Sequence, residues 1–258
     1  MREDFDAATE IELRVEFLSQ LLLSVGAHAL VLGISGGVDS LTAGCLSQRA
    51  VQRARKQGLD VQFVAMRLPY GTQLDEADAQ VGLQVIQPDI QQTVDVRPAA
   101  DAMLAAVQAA GQGFRDAAQQ DFLHGNIKAR QRMVAQYAVA GARGGLVVGT
   151  DHAAEALMGF FTKFGDGAAD VTPLAGLNKR RVRALATQMG APHALVYKVP
   201  TADLEQLSPL KPDEEAFGVS YDEIDDFLEG KDVSAQTFEI IVSAWRRSAH
   251  KRALPLTP

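Results

Sequence analysis

The sequence predicts an α/β fold in which helices cover both faces of a parallel sheet and a helical extension follows at the C-terminus. Short apolar runs, continuous enough for strands buried on both faces, alternate along the chain with longer segments of helical periodicity. This alternation is typical of parallel sheets. Two further helical segments, residues 220–228 and 235–249, then predict the C-terminal extension.

Local signals bound the predicted elements. The strands are residues 29–34, 61–66, 92–96 and 146–149. Thr9 and Glu12 fit a capping box for the first helix. Later helices end before Gly58, Pro88, and Gly144-Gly145. The predicted helices after the first cover residues 40–57, 75–86, 98–110, 126–142, 152–162, 178–189, 220–228 and 235–249. Residues 198–215, with three prolines, are expected to form a long functional loop.

Composition excludes several classes of protein. The 258 residues are 47% hydrophobic, which fits one domain with a substantial core. The net charge of −7 disfavours nucleic-acid binding by phosphate neutralisation. The apolar runs are too short to span a membrane, and the N-terminus lacks a signal peptide's apolar core. The one cysteine, Cys45, cannot form an internal disulfide and is expected to be buried. We therefore expect a cytoplasmic protein with a single domain over residues 1–258.

The most informative stretch is Gly33-Ile34-Ser35-Gly36-Gly37-Val38-Asp39-Ser40, which joins the first strand to a helix. Its glycines allow positive φ and close backbone approach, so successive N–H groups can converge on one anion. The helix N-terminus and two serine hydroxyls add further donors. The Asp39 carboxylate would repel a phosphate unless a cation lies between them. The loop therefore indicates a magnesium-bound polyphosphate, the alternative being a plain turn with Asp39 as the helix N-cap.

Three predicted loops should meet at one edge of the sheet. Residues 35–40, 67–71 and 150–155 each follow a strand, and parallel sheets bind ligands beyond the carboxyl ends of their strands. Glu155 lies one helical turn beyond Thr150, so its carboxylate is expected over that edge. Paired with Asp39 it would offer magnesium two oxygen ligands. Alone, it would fit equally well as a solvated residue in a first helical turn.

Several blocks resemble known families. Ser-Gly-Gly-x-Asp-Ser at residues 35–40 resembles the loop of the PP-loop ATP pyrophosphatases, which split ATP between its α and β phosphates and adenylate a substrate. Six further blocks closely resemble ammonia-dependent NAD synthetase and keep that family's order up to Arg252. They are residues 67–71, 128–133, 149–170, 200–204, 220–226 and 250–252.

The resemblance implies a five-stranded-type doubly wound sheet, adenine nucleotide alpha-hydrolase-like, and an ATP-dependent ligase. In that reaction the carboxylate of deamido-NAD attacks the ATP α-phosphate, pyrophosphate leaves, and ammonia displaces AMP to give NAD. Magnesium is the implied cofactor and ATP the co-substrate. Because no region resembles a glutaminase, free ammonia is the expected nitrogen donor. The resemblance also suggests a homodimer with the dinucleotide at the subunit interface.

Site residues follow from the resemblance, position by position. The implied ATP contacts are Gly33, Ile34, Ser35, Gly36, Gly37, Val38, Asp39, Ser40, Thr150, Lys179 and Thr201. The implied magnesium ligands are Asp39 and Glu155. The implied deamido-NAD contacts are Arg130, Lys163, Asp170, His250 and Lys251. The basic residues among them also fit solvated helix faces or a helix end that favours positive charge.

Asp166 is the expected catalytic residue. Ammonium must lose a proton before it attacks, and a carboxylate in a glycine-rich loop could bind ammonium and accept that proton. The alternative is an ordinary turn aspartate in Gly-Asp-Gly. Arg67 and Lys198 are possible nucleotide contacts, and His152 is expected to support the site structurally. The acidic run at residues 222–226 is most simply a solvated helix face.

Other functions stay open on the PP-loop motif alone. Another amide ligase or a tRNA-modifying enzyme would share residues 35–40 but lack the block at residues 149–170. A nucleotide-binding sensor without activity should have lost Asp39 or Glu155, and both are present. A structural α/β module would not need converging glycines, carboxylates and lysines.

Overall fold

A parallel sheet forms the centre of the protein. The computed structural model describes residues 5–72, 75–202, 204–253, 255 and 257. Asp203, which belongs to one of the motifs above, lies outside this range. The strands are β1 (Ala29–Gly33), β2 (Gln62–Arg67), β3 (Ile90–Thr93) and β4 (Gly145–Val147), together with a short antiparallel pair, β5 (Thr201–Ala202) and β6 (Lys211–Pro212).

Helices surround this sheet and form the C-terminal part of the chain. They are α1 (Ala7–Val25), α2 (Val38–Lys56), α3 (Glu76–Ile86), α4 (Arg97–Ala109), α5 (Ala117–Ala142), α6 (Ala153–Met158), α7 (Lys179–Gln188), α8 (His193–Val196), α9 (Asp213–Phe217), α10 (Tyr221–Glu229), α11 (Ala235–Arg247) and α12 (Ala249–Arg252).

The strand order is β3-β2-β1-β4, with every pair parallel. The chain moves outward from β1 to β3 and then crosses back to place β4 on the other side of β1. Ligands of such sheets bind where the order reverses, here between the carboxyl ends of β1 and β4. A parallel bridge between Val148 and Val171 extends the sheet at the β4 edge. The predicted doubly wound α/β class is confirmed.

Side-chain alternation along the strands creates two cores. Leu30 and Leu32 of β1 belong to a cluster that includes residues of α1, α2 and α7. Val31 belongs to a second cluster on the opposite face, which includes Ala140 of α5. A third cluster, which includes Tyr221 of α10, joins α6, α10 and α11 into the C-terminal extension. The two faces of the sheet are therefore covered by different helices, as a period of two residues dictates.

Three helix boundaries differ from their predictions because of capping. The first helix begins at Ala7, since the Asp6 side chain accepts from Thr9 N at 2.7 Å, so a capping box at Thr9 is wrong. Helix α5 begins nine residues earlier than predicted, at Ala117 (against residue 126), because Asp116 caps it. Helix α6 ends at Met158 rather than residue 162, since Gly159 takes a left-handed conformation at φ 65°.

The predicted loop at residues 198–215 has more structure than its prolines suggest. It contains β5, β6 and the start of α9.

In the part of the chain that the structure describes, no helix is long and apolar enough to cross a membrane. Cys45 is buried as predicted, and burial raises the pKa of its thiol to about 11.

Packing of α1 on the sheet gives a test of the core. Leu18 is fully buried, whereas Leu13 on the same helix is 50% exposed. Leu18→Ala should lower the free energy of unfolding by about 2–5 kcal/mol, because it removes buried methyl groups and leaves a cavity. Leu13→Ala, the matched control, should change it by less than about 1 kcal/mol. Urea denaturation measures both values, and equal losses would contradict the placement of α1.

Candidate active site

A cavity opens at the carboxyl ends of β1, β2 and β4. Ser35, Asp39, Arg67, Thr150 and Glu155, among others, line it. The predicted convergence of the three loops at one edge is therefore confirmed. Residues of α5, of the segment that begins at Lys198 and of the loop that follows α6 complete the wall of the cavity. They are Ala129, Arg132, Gln136, Lys198, Val199, Pro200, Thr201, Leu204, Asp213, Phe160, Asp166 and Ala168.

The loop at residues 33–40 is held open by its own hydroxyls. Ser40 Oγ donates to Gly37 O at 3.1 Å and accepts from Ser35 N at 3.2 Å. Gly36 has φ 92°, and a Cβ there would lie 3.2 Å from Asp75 O. Only glycine takes that conformation in so close a contact without strain. Helix α2 follows with Gly37 as its N-cap, so the alternative of Asp39 as the N-cap is wrong.

A buried ion pair lies at the base of the cavity. Lys179 Nζ donates to Asp39 Oδ2 at 2.7 Å and lies 3.4 Å from His152 Nε2. His152 Nε2 is in turn 3.6 Å from both Asp39 Oδ1 and Glu155 Oε1. Lys179 is only 1% exposed, and its ammonium also faces the Tyr221 ring at 4.6 Å. Five groups from four segments of the chain are thus gathered around one point.

Burial and the positive charge of Lys179 both shift the pKa values of the groups in this cluster. Burial raises the pKa of Asp39, but the charge of Lys179 and its hydrogen bond outweigh that effect and hold it below its ordinary value. For Glu155, burial and the negative charge of Asp39 outweigh the charge of Lys179 and raise its pKa well above the ordinary value. Burial lowers the pKa of His152 to about 3 and keeps the ring neutral, with the Lys179 charge as the second cause.

The donor set fits a divalent cation. Ligand atoms of Asp39, His152 and Glu155 all lie within 4.8 Å of one another. Asp39 Oδ1 is buried, and among the described residues it has no hydrogen-bond partner. Carboxylate oxygens are the ligands that Mg²⁺ prefers. A cation there would satisfy Asp39 Oδ1 and remove the repulsion between the two carboxylates.

The acidic run within α10 anchors Lys179. Asp225 is buried, and its carboxylate accepts from Lys179 N at 3.0 Å and from Arg180 N at 2.7 Å. Its negative charge therefore compensates the partial positive charge at the N-terminus of α7 and fixes the position of Lys179. Arg180 pairs with Asp226 at 3.2 Å. The prediction of a solvated face for residues 222–226 is wrong for Asp225. The local sequence does not show that the N-terminus of another helix, α7, packs against this residue.

Asp166 lies at the edge of the cavity with an exposed carboxylate. Its Oδ1 accepts from Thr162 N at 3.1 Å, which fixes the turn. Although solvent reaches Asp166, the protein around this concave position reduces the hydration of its carboxylate and so raises its pKa. Asp151, to which the sequence analysis assigned no role, has its pKa raised to about 7 by burial and by the charges of Asp166 and Asp39. These carboxylates make this side of the cavity attractive to a cation.

One face of α5 positions the loops around the cavity. Gln136 Oε1 accepts from Gly33 N at 2.8 Å, and Arg132 Nε donates to Leu68 O at 2.9 Å. Sequence reasoning missed both residues. Their spacing of four residues was the available signal, because it puts two polar side chains on one helical face.

Two other predicted cavity residues make contacts across its mouth. Lys198 Nζ lies 2.6 Å from Asp78 Oδ2 and 3.7 Å from Asp75 Oδ2. Arg67 is buried, donates to Ile34 O, and pairs with Glu76 at 2.6 Å. Asp213, which the sequence analysis also missed, accepts from Tyr221 OH at 3.0 Å. Its position beside the cavity depends on β6 and could not be read from spacing.

The five residues expected to contact deamido-NAD lie apart from the cavity lining. Three of them are joined by hydrogen bonds: Arg130 donates to Lys163 O at 3.3 Å, and Lys163 Nζ donates to His250 O at 2.6 Å. Lys251 Nζ donates to Phe161 O at 2.8 Å in the same region. Asp170 is held separately, accepting from Val147 N at 2.7 Å. Within the described residues, none of these five lines the cavity around Asp39.

Comparison with known proteins gives a consistent result. A family model described as NAD synthase matches residues 10–255. The NH(3)-dependent NAD(+) synthetase of Streptomyces coelicolor is 66% identical, over 99% of this chain and 93% of its own length.

Solved structures agree with that match. NAD+ synthetase from Burkholderia pseudomallei has a TM-score of 0.84 and 59% identity, covering 98% of this chain and 92% of its own. NMN synthetase from Francisella tularensis has a TM-score of 0.85 and 38% identity, covering 99% of each chain. The family model covers residues 10–255 of this chain, and one relative is 66% identical to it. This chain therefore belongs to the NAD synthase family.

Proposed function

We propose that this protein catalyses the ATP-dependent amidation of deamido-NAD with ammonia, giving NAD, AMP and pyrophosphate through an adenylated carboxylate. The observation that carries the proposal is the cavity in which the loop at residues 33–40 meets Glu155 and Lys179, in a chain so similar to named NAD synthetases. Residues 1–258 would act as one NAD synthetase domain in the cytoplasm.

ATP would lie with its phosphates on the loop at residues 33–40. The N-terminus of α2 lines the cavity there through Val38, Asp39 and Ser40, and the N–H groups of a first helical turn favour anions. Thr150 and Thr201 line the same cavity, where they would contact the nucleotide. Lys179 would neutralise phosphate charge, since its buried ammonium already lies beside the loop. The remaining charge would be balanced by Mg²⁺ held by Asp39 and Glu155, which when bound acts as a Lewis acid on phosphate oxygens.

The chemical work of the protein is largely positioning. The carboxylate of the substrate must lie in line with the bond between the α-phosphate and pyrophosphate, and holding two anions in that geometry lowers the barrier. The Ser40 hydroxyl donates to Gly37 O and lies 3.1 Å from Ser35 Oγ, so these two side chains would fix the shape of the loop that holds the leaving pyrophosphate.

Asp166 would bind ammonium and accept its proton. Its carboxylate is fixed by Thr162 N yet exposed to the cavity, where a cation can reach it. Once ammonia is released it attacks the acyl carbon, and AMP leaves with the oxygen that joined it to the carboxylate.

The dinucleotide would be held by Arg130, Lys163, Asp170, His250 and Lys251, with a second copy of the chain beside them. Support for a homodimer comes from where these residues lie. They are outside the cavity, and Arg130 shares α5 with the exposed apolar side chains of Phe122 and Val134. A subunit packed on that face would enclose a ligand reaching from the cavity to these contacts.

A mononucleotide substrate is the alternative, favoured by the similarity to NMN synthetase. The deciding assay supplies ATP, Mg²⁺ and ammonium with either deamido-NAD or nicotinic acid mononucleotide, and measures amide and pyrophosphate. We expect the higher kcat/KM with deamido-NAD. A higher value with the mononucleotide would favour the alternative, and no amide from either would refute both.

Glu155→Gln should abolish most of the adenylation. The substitution keeps the shape of the side chain but removes a charged ligand, so we expect at least about a 100-fold loss of substrate-dependent ATP–pyrophosphate exchange and a higher Mg²⁺ requirement. Asp222→Asn, whose carboxylate is 76% exposed, is the matched control and should behave as wild type. An unchanged Mg²⁺ requirement in Glu155→Gln would refute its role as a ligand.

Asp166→Asn should separate the two half-reactions. Because the substitution removes a general base, we expect amidation to be about 10²–10⁴-fold slower. The rate of ATP–pyrophosphate exchange should stay near the wild-type value, because adenylation needs no proton acceptor at this position. Asp232→Asn, on an exposed loop, serves as the control. Rapid-quench measurement of adenylate and NAD distinguishes the steps, and an equal loss in both would show that Asp166 does not act as the base.

A further inference from the structure

Helix α6 carries Glu155 but is too short to hold that side chain in place by itself. It runs from Ala153 to Met158, which is less than two turns, and an isolated helix of that length is unstable in water. The last carbonyls of a helix have no partner within it, and they carry the partial negative charge of the helix dipole. The position of the Glu155 carboxylate therefore depends on contacts that other elements make with α6.

Arg252 in α12 supplies the partner for one of these carbonyls. Its Nη1 donates to Ala156 O at 2.9 Å, which is the carbonyl of the residue next to Glu155. The carbonyl of Glu155 itself accepts from the N–H groups of Gly159 and Phe160. A positive charge at this end of a helix is also favourable for the helix dipole. Arg252 therefore completes the C-terminus of the helix that carries Glu155.

The guanidinium of Arg252 is itself held by α11. Nη1 also donates to Ser248 Oγ at 2.7 Å, and Nη2 donates to Trp245 O at 2.6 Å. Its Cζ lies 3.5 Å from the centre of the Trp245 ring, which is a cation–π contact. Ser248 packs directly on the end of α6, because a Cβ at Gly159 would come within 2.1 Å of Ser248 Cβ. This set of contacts uses the planar group of donors that arginine has and lysine lacks.

The neighbouring Lys251 holds the loop that follows α6. Its Nζ donates to Gly159 O at 2.9 Å and to Phe161 O at 2.8 Å. That loop leads to Asp166, which lines the cavity. Two adjacent cations of α12 thus bond to the main chain at the end of α6, and the bond from Arg252 reaches the helix itself.

We propose that Arg252 is a positioning residue for the metal ligand Glu155. By holding Ala156 O, it fixes the rotation of α6 about its axis and so the place of the Glu155 carboxylate relative to Asp39. The inference rests on the proposed function in one respect, which is that Asp39 and Glu155 hold a divalent cation. Removing a contact that orients a metal ligand typically weakens metal binding by about 10–100-fold. The C-terminal extension thereby acts on the cavity through one side chain.

Binding of Mn²⁺ in place of Mg²⁺ tests this without turnover. Mn²⁺ is titrated into the intact chain in the presence of a stoichiometric amount of α,β-methylene-ATP, which cannot be cleaved between its α and β phosphates. The electron paramagnetic resonance signal of free Mn²⁺ gives the Kd. Arg252→Met removes the charge and the donors, and Arg252→Lys keeps only the charge. Arg247→Met, the matched control, removes the same charge from an exposed side chain that bonds to Ser243 Oγ within α11.

We expect the Kd for Mn²⁺ to rise about tenfold in Arg252→Met, to rise less in Arg252→Lys and to stay unchanged in Arg247→Met. In a chain that already carries Glu155→Gln, Arg252→Met should raise the Kd little further, because the ligand that Arg252 positions has been replaced. A merely structural role would not depend on Glu155 in this way. Arg252→Lys, the milder change, gives the same test should Arg252→Met fail to fold.

An unchanged Kd in both Arg252 variants would overturn the inference, and so would a tenfold rise that persists beside Glu155→Gln. Failure of the wild-type protein to bind Mn²⁺ would overturn it together with the metal site. The titration uses neither deamido-NAD nor ammonia. A wild-type protein that binds Mn²⁺ through Glu155 but forms no amide would therefore refute the proposed reaction alone, and the Kd values would still decide the role of Arg252.

Discussion

The buried ion pair between Lys179 and Asp39 is the contact on which the site depends. It ties the first turn of α7 to the first turn of α2 at the point where the strand order reverses. Asp225 fixes the same turn of α7 from the other side. Removing one partner of such a pair leaves a buried charge uncompensated, at a cost of about 3–5 kcal/mol. The pair itself adds little to the free energy of unfolding, because desolvation of the two charges offsets their attraction. It nevertheless determines which helices meet at the cavity.

Helix α5 provides the second constraint. Its side chains reach the backbone of three separate loops, at Gly33, Leu68 and Leu204. Loops carry most functional groups but have little rigidity of their own. Bonds from one helix to their main chain give them a common frame, whatever their sequences. The positions of the loop at residues 33–40, of the turn after β2 and of the segment at Leu204 are therefore linked through a single helix.

Sequence reasoning predicted the features that depend on local chemistry. The apolar runs predict the strands, and the order of strands and loops predicts that Ser35, Arg67 and Glu155 meet at one edge. Contacts between distant segments do not follow from local sequence. The burial of Asp225 depends on the N-terminus of α7, which is 45 residues away along the chain. The early start of α1 depends on Asp6 and the early end of α6 on Gly159, and both caps compete with equally plausible signals nearby.

The central claim is that a carboxylate of the substrate is activated as an acyl adenylate in this cavity. Its most direct test uses deamido-NAD labelled with ¹⁸O in the nicotinic carboxylate, together with ATP, Mg²⁺ and ammonium. We expect mass spectrometry to find one labelled oxygen in AMP and none in pyrophosphate. Formation of NAD with unlabelled AMP would contradict it, because the carboxylate oxygen would then have left by a route that does not pass through the α-phosphate.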